Sequence, residues 1–458
     1  MTPVTQLDTL ISALPDGAVV TDPELIESYR RDQAGTVAAG TPLAVVHAGS
    51  TDHVVTVMRW ASEHGVAVVP RGAGSGLAGG ANAVDGGIVL SLARMDEIVS
   101  IEADDLYAVV QPGVLNADLG RAVAERGLYY PPDPASKEFC SIGGNVATNA
   151  GGLCCLKYGV TSDFVLGLTV VLADGRVLRT GRRTAKGVAG YDLTRLFVGS
   201  EGTLGVVTEI VVRLRPAPSQ AATLVAFFPE LRAAADAVAR ISASGVVPSM
   251  LELMDRTTIR VVDDALKMDL DRDAAALLIA QSDAGGARAA DEIATMATVC
   301  EKAGADFVAE TTDVDEGEAL LAARRGAFPA LERLGDTLLD DVCVPRSAIP
   351  DLVARIEEIA ARHDVLIGTF GHAGDGNMHP TVVFDAADPD STARAMAAFD
   401  DIVATALDLG GTVTGEHGVG ALKRGALALE LDDVSLDVHR AVKAAFDPAG
   451  ILNPGTMF

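Results

Sequence analysis

Pro70-Arg71-Gly72-Ala73-Gly74-Ser75-Gly76-Leu77-Ala78-Gly79-Gly80 is the stretch on which the reading of this chain turns. Five of its eleven residues are glycine. Glycine lacks a Cβ and tolerates positive φ, so successive N–H groups can converge on one anion. Gly74, Gly76 and Gly79 spell a literal G-x-G-x-x-G, which invites a dinucleotide-binding βαβ unit. The flanks argue against it. Residues 66–69 read as a strand, but 81–87 is too short for a phosphate-binding helix and contains Asp85-Gly86-Gly87. Residues 88–92 then read as another strand. The loop is therefore expected to join two strands, either as a backbone cradle for a cofactor pyrophosphate or as a flexible glycine turn.

The 458 residues exceed one ordinary domain and predict two or three. A formal net charge of −27 opposes binding to nucleic acid and to anionic membranes. No uncharged apolar run is long enough to span a bilayer. The first residues, with Asp8 among them, do not read as a signal peptide. The five cysteines include an adjacent Cys154-Cys155 but no C-x-x-C, so neither a zinc ribbon nor an iron–sulfur cluster is indicated. A cytoplasmic location is expected, with peripheral membrane association as an alternative.

Outward from the loop, residues 6–14 read as a helix and 42–48 as a strand. Ser50 or Thr51 caps a helix with Val54, Val55, Met58 and Ala61 on one face, stopped by Gly65. A strand at 107–111 precedes a helix at 116–126. Residues 131–152 show almost no periodicity, and a stretch that long without regular structure is more often functional than idle. A hairpin is expected across Ala173-Asp174-Gly175, and a second glycine turn at 199–205 leads into a strand at 206–214. Pro216 and Pro218 mark a boundary. Beyond it, strands at 224–228, 249–254, 276–281 and 307–310 alternate with helices at 231–244 and 287–303, which suggests a ferredoxin-like sheet. Further helices are expected at 316–334, 349–362 and 392–409, with a strand pair within 366–385.

That strand pair carries a second constellation. His372 and His379 flank Ala-Gly-Asp-Gly-Asn-Met, and Glu416-His417 sits between Gly415 and Gly418. Two imidazoles and a carboxylate suit a divalent transition metal with open positions for substrate. Ordinary loop histidines fit the same spacing. Asp375 reads as a turn residue. Arg324 suits bidentate carboxylate binding, although an Arg pair (Arg324, Arg325) on a helix is commonly a solvated face.

Residues 70–81, 131–152, Gly190-Tyr191-Asp192-Leu193 through Gly205, 371–379, 415–420 and Leu452-Asn453-Pro454-Gly455 together resemble the vanillyl-alcohol-oxidase-type (PCMH-type) flavoproteins. The branch most resembled holds D-lactate dehydrogenases, D-2-hydroxyglutarate dehydrogenases and the FAD-bearing subunit of glycolate oxidase. The resemblance implies an α+β fold. A two-subdomain FAD-binding domain would occupy 1–216, with its core from about residue 38. A ferredoxin-like cap would occupy 217–414, and residues 415–458 would return to the flavin site. It implies FAD held by Arg71, Gly72, Ala73, Gly74, Ser75 and Gly76 at the pyrophosphate. Pro132, Asp133, Ser136, Gly143, Gly144, Asn145, Asn149 and Gly152 would line the flavin. Glu201, Gly205 and Val207 would lie near the ribityl and adenosine part, and Asn453 near the isoalloxazine ring. It implies a divalent metal (zinc, manganese or iron) on His372, His379 and Glu416, His417 as base, and Arg324 on the substrate carboxylate.

The activity so implied is oxidation of a small 2-hydroxy acid by hydride transfer to flavin N5. Electrons would pass on to a quinone, a cytochrome, an electron-transfer flavoprotein or an iron–sulfur subunit. Two departures matter. The glycine loop has no histidine, so FAD is expected to be non-covalent. No lysine lies in 338–344, which favours D-lactate or glycolate over D-2-hydroxyglutarate. A non-redox flavin synthase, a subunit role in an electron-transfer assembly and a homodimer are further expectations compatible with the resemblance.

Overall fold

The computed structural model describes residues 3–184 and 186–458. The chain divides into two compact units. Unit 1 comprises the residues up to Gly151, Gly159–Ala217 and Glu416–Phe458; unit 2 comprises Gly152–Tyr158 and Pro218–Gly415. Among the described residues no helix is long and apolar enough to cross a membrane.

Unit 1 holds a four-stranded sheet in the order Val19–Val20, Ala44–His47, Ile88–Ser91, Val68–Arg71. The last three strands are mutually parallel neighbours. Between the first two of them in sequence runs the helix Thr51–His64, which is capped as its sequence dictates. Ser50 Oγ accepts from the His53 amide, and Gly65 closes the end in the left-handed region. Val54, Val57, Met58, Trp60 and Ala61 are its buried residues. Parallel strands are ordinarily linked by a crossover helix. Val68–Arg71 and Ile88–Ser91 are instead linked by the glycine loop, in agreement with the strand–loop–strand reading. The chain's tail returns beside the same strand. Val68 donates to the Ile451 carbonyl at 2.8 Å, and Asn453 donates to Val68 at 2.9 Å.

A second, antiparallel sheet of five strands follows, with Val206–Arg213 between Tyr107–Val110 and Val165–Val171. Two features of this unit depart from the sequence expectation. The irregular segment contains a short helix, Ile142–Thr148, made possible by its ends: Ser141 caps one and Asn149 (φ 55°) closes the other. The tail also carries helices Arg424–Glu430 and Asp433–Phe446.

Unit 2 is built on the strands Ala222–Phe228, Met250–Asp255, Ala276–Ser282 and Phe307–Thr311. Their spatial order is fourth, first, third, second, all antiparallel, which is the ferredoxin-like arrangement. The sheet extends through Leu366–His372, Asn377–Phe384 and Asp336–Leu339. The expected helix at 316–334 is instead two helices, Val314–Arg325 and Ala327–Glu332, divided at Gly326. Pro329 has no N–H to donate to the Arg325 carbonyl, so a break before it costs less than a continuous helix through it. A further helix, Arg256–Leu266, is capped by Asp255. The seven residues Gly152–Tyr158 join this unit although both their chain neighbours belong to unit 1. Lys157 and Tyr158 both bond the Asp283 carboxylate, and Leu153 packs against the unit's core.

Candidate active site

In unit 1 the glycine loop has a close neighbour that explains its composition. A Cβ on Gly72 would collide with Ser141 Oγ, and one on Gly76 would stand 3.2 Å from Asp32 Oδ2. Gly74 is left-handed at φ 74° and lies over the Arg71 guanidinium. Arg71 is buried, reaches the Ala81 carbonyl at 3.4 Å, and stands 5.9 Å from the Tyr29 ring centre. Burial lowers its pKa, while the Asp32 carboxylate beside it acts in the opposite direction. Ser75 is half-buried and Ala73 exposed.

The short helix Ile142–Thr148 brings Gly143, Gly144 and Asn145 together. A Cβ on Gly143 would stand 2.5 Å from that of Pro112, so only glycine permits this approach. Asn145 Nδ2 is buried and has no hydrogen-bond partner among the described residues. Asn149 Oδ1 accepts from the Ser162 amide at 2.8 Å. Pro132 offers its carbonyl to Asn116 Nδ2 at 3.0 Å, Ser136 accepts at its carbonyl from the Cys140 amide, and Asp133 is half-buried. Gly152 falls in unit 2. Gly205 is a packing glycine, since a Cβ there would meet Val170 Cγ1 at 2.5 Å. Val207 is half-buried on the following strand.

Glu201 and Asn453 are fixed by the protein itself. The Glu201 carboxylate accepts from the Val419 and Gly420 amides, each at 2.8 Å. Burial pushes its pKa up to about 7 against the lowering effect of those two N–H groups. Asn453 Nδ2 donates to the Gly80 carbonyl at 2.8 Å and the Glu201 carbonyl at 2.7 Å. Asn453 therefore ties the glycine loop, the second glycine turn and the tail into one knot. These donors fit an FAD: a Cβ-free loop, a buried guanidinium, and an orphaned amide on a glycine-rich helix.

In unit 2, His372 ends one arm of the hairpin Leu366–His372/Asn377–Phe384, and His379 lies on the other. Their ring centres are 5.1 Å apart and nearly perpendicular. Both are buried. His372 Nδ1 is 2.8 Å from Glu252 Oε1. Arg324 is 6% exposed and donates from Nε to Glu252 Oε2 at 2.7 Å. Its guanidinium carbon stands 4.7 Å from the Phe370 ring centre. Arg324 is therefore no solvated face. Burial opposes ionisation of Glu252, but its neighbours His372 and Arg324, both hydrogen-bonded to it, outweigh that and hold the carboxyl below its usual range.

Asp341, fully buried, organises the other side of the hairpin. Its Oδ1 accepts from Asn377 Nδ2 at 2.7 Å. Its Oδ2 accepts from Thr414 Oγ1 at 2.7 Å and from the Gly415 amide at 2.9 Å. Asp341 Oδ1 is 3.7 Å from His379 Nδ1. Glu416 follows Gly415 directly in the chain, and His417 Nε2 is 3.9 Å from Glu416 Oε1. Nitrogen and carboxylate donors of this kind suit zinc, manganese or iron.

Glu252 and Asp341 were not legible as site residues from spacing. A signal existed for both: Glu252 is a lone charge in Met-Leu-Glu-Leu-Met, and Asp340-Asp341 interrupts Leu-Leu…Val-Cys-Val. A charge inside an apolar strand is rarely buried without a partner.

Comparison with known proteins gives two family matches. Residues 42–181 match an FAD binding domain, and residues 217–457 match the FAD linked oxidases, C-terminal domain. The chain is 47% identical over 418 residues to glycolate oxidase subunit GlcD of Bacillus subtilis, covering 91% of this chain and 89% of that one. It is 33% identical to a D-lactate dehydrogenase of Anaerostipes hadrus, covering 95% and 94%. The solved structure of 4-ethylphenol oxidase from Gulosibacter chungangensis superposes with a TM-score of 0.83 over 99% of this chain and 96% of that one, at 19% identity.

Proposed function

This chain belongs to the FAD-linked oxidases and is an oxidoreductase; from that premise we propose that it oxidises a small 2-hydroxy acid, D-lactate or glycolate in kind, to the 2-keto acid. The observation that carries the reading is the buried cluster of unit 2. Two histidine rings meet there, and a buried arginine shares a carboxylate with one of them. A hydroxyl and an adjacent carboxylate are what such a pairing can bind.

In this reading Arg324 neutralises the substrate carboxylate through its terminal nitrogens. His372, His379 and Glu416 would hold a divalent metal, which lowers the pKa of a bound hydroxyl. His417 accepts the hydroxyl proton. FAD, held without a covalent link, supplies the hydride acceptor. The protein's own work is orientation, charge neutralisation and proton removal. The physiological electron acceptor is a separate partner. The Bacillus subtilis relative is named a subunit, which favours a protein acceptor within an assembly. D-2-hydroxyglutarate is the second substrate, disfavoured because 338–344 holds no lysine.

The test is anaerobic bleaching of the bound flavin against a panel of D- and L-2-hydroxy acids. Bleaching by D-lactate or glycolate is expected, and a panel without any response rejects the reading. His417→Ala should keep the flavin spectrum and lose bleaching. Normal bleaching in that variant removes His417 from its role.

A further inference from the structure

We propose that Glu252 is a positioning residue that sets, from one carboxylate, both the tautomer of His372 and the aim of Arg324. The proposal rests on the reading of His372 as a metal ligand. Glu252 lies mid-strand in Met250–Asp255, every residue of which is buried. Its oxygens are divided between two donors, with Oε2 on Arg324 Nε at 2.7 Å and Oε1 on His372 Nδ1 at 2.8 Å. An ionised carboxylate can only accept. His372 must therefore carry a proton on Nδ1. In the neutral ring the lone pair then sits on Nε2, the form in which imidazole ligates a metal.

The same carboxylate fixes Arg324. With Nε engaged and the guanidinium against Phe370 at 4.7 Å, the plane of the group is set from two directions. The terminal nitrogens are then the edge left for a carboxylate fork. A purely architectural role does not call for this residue. A buried ion pair is commonly replaced by apolar side chains without loss of stability. A glutamate at this position does something that a leucine cannot: it dictates which nitrogen of His372 holds the proton and where the Arg324 fork points.

Glu252→Gln separates these roles. An amide has one accepting oxygen and one donating NH₂, so it cannot serve both donors. Arg324 Nε can only donate and so takes the amide oxygen. The NH₂ then faces His372 and donates to Nδ1, and the ring proton moves to Nε2, the position a metal needs vacant. Two measurements on EDTA-treated, FAD-loaded protein follow: the protonated ring nitrogen of His372 by ¹⁵N NMR, and titration with Zn²⁺ alone. The wild type should show Nδ1–H. Glu252→Gln should show Nε2–H, with Zn²⁺ affinity lowered about 10–100-fold. Glu252→Asp, which keeps a carboxylate, should retain Nδ1–H.

Nε2–H in the wild type overturns the proposal, and so does an unchanged tautomer in Glu252→Gln. Should Glu252→Gln not fold, the wild type and Glu252→Asp still decide: Nε2–H in either refutes. A wild type that binds no Zn²⁺ while the tautomer switches as described rejects the metal reading and upholds the positioning role.

Discussion

Removing the charge of Glu201 should change how the stability of unit 1 depends on pH. Glu201 is 7% exposed and bonded to the Val419 and Gly420 amides. Burial raises its pKa from 4.5 to about 7. The folded state therefore binds this proton more tightly than the unfolded state does. The stabilising contribution is fully present below about pH 4.5 and is lost as pH rises through about 7. At about 1.4 kcal/mol per pKa unit, this amounts to roughly 3 kcal/mol. Glu201→Gln has no such proton. It retains one acceptor for two amides, so one N–H is left facing an NH₂, at a cost of about 1–3 kcal/mol that does not vary with pH. The assay is urea unfolding followed by the fluorescence of Trp60, the chain's single tryptophan, buried in unit 1. Excess FAD is kept constant. Groups remote from residue 201 titrate alike in the two proteins and cancel in the difference, and Asp32, whose charge helps raise Glu201, is the neighbour that responds. Wild type minus variant should fall by about 3 kcal/mol between pH 4.5 and 8, the wild type being favoured at acid pH. A difference that stays level across this range refutes the reasoning.

Asn453→Asp replaces the donor between the Gly80 and Glu201 carbonyls with an acceptor. Unit 1 should lose about 2–4 kcal/mol by the same fluorescence assay, and FAD should be lost on gel filtration. Asn453→Ala should cost less, because it removes the bonds without adding repulsion. Gly120→Ala, in the helix Asn116–Ala124 with nothing within 4 Å of the added carbon, should stabilise by about 0.5–1 kcal/mol in urea unfolding. Gly143→Ala, pressed against Pro112, should destabilise by about 1–3 kcal/mol and weaken FAD retention.

Local chemistry predicted the elements whose neighbours in sequence are also their neighbours in space. The Ser50 cap, the Gly65 stop and the hairpin across Ala173-Asp174-Gly175 are of this kind. So is the pair His372 and His379, which face each other because one hairpin carries both. The elements that escaped had a helical pattern masked by their local composition or exposure. Asp433–Phe446 carries an apolar stripe of Val434, Val438, Val442 and Ala445, but Leu436 is its one buried residue and Val434 and Val438 are exposed. Arg256–Leu266 opens on Arg-Thr-Thr-Ile and continues through Val-Val, β-branched residues that favour strands. Ile142–Thr148 contains two glycines and is held by its caps and by the Gly199 and Glu201 amides, which bond the Val146 and Ala147 carbonyls. At the site, Glu252 meets His372 across 120 positions and Asp341 meets Gly415 across 74. No window along the sequence contains such pairs. Arg324 was legible as a residue type but not as a buried one, because the helix around it carries charges on every side.

The excursion Gly152–Tyr158 bears on how relatives of this chain can exchange parts. Unit 2 does not begin and end once. It is drawn from two separate stretches of chain, so it has four junctions with unit 1 rather than two. A recombinant that imports Pro218–Gly415 alone inherits a foreign Asp283 facing the host's Lys157 and Tyr158. That carboxylate is 8% exposed, and a mismatched partner strands its charge. Substrate specificity should therefore move between family members only when seven residues from elsewhere in the gene travel with the larger segment.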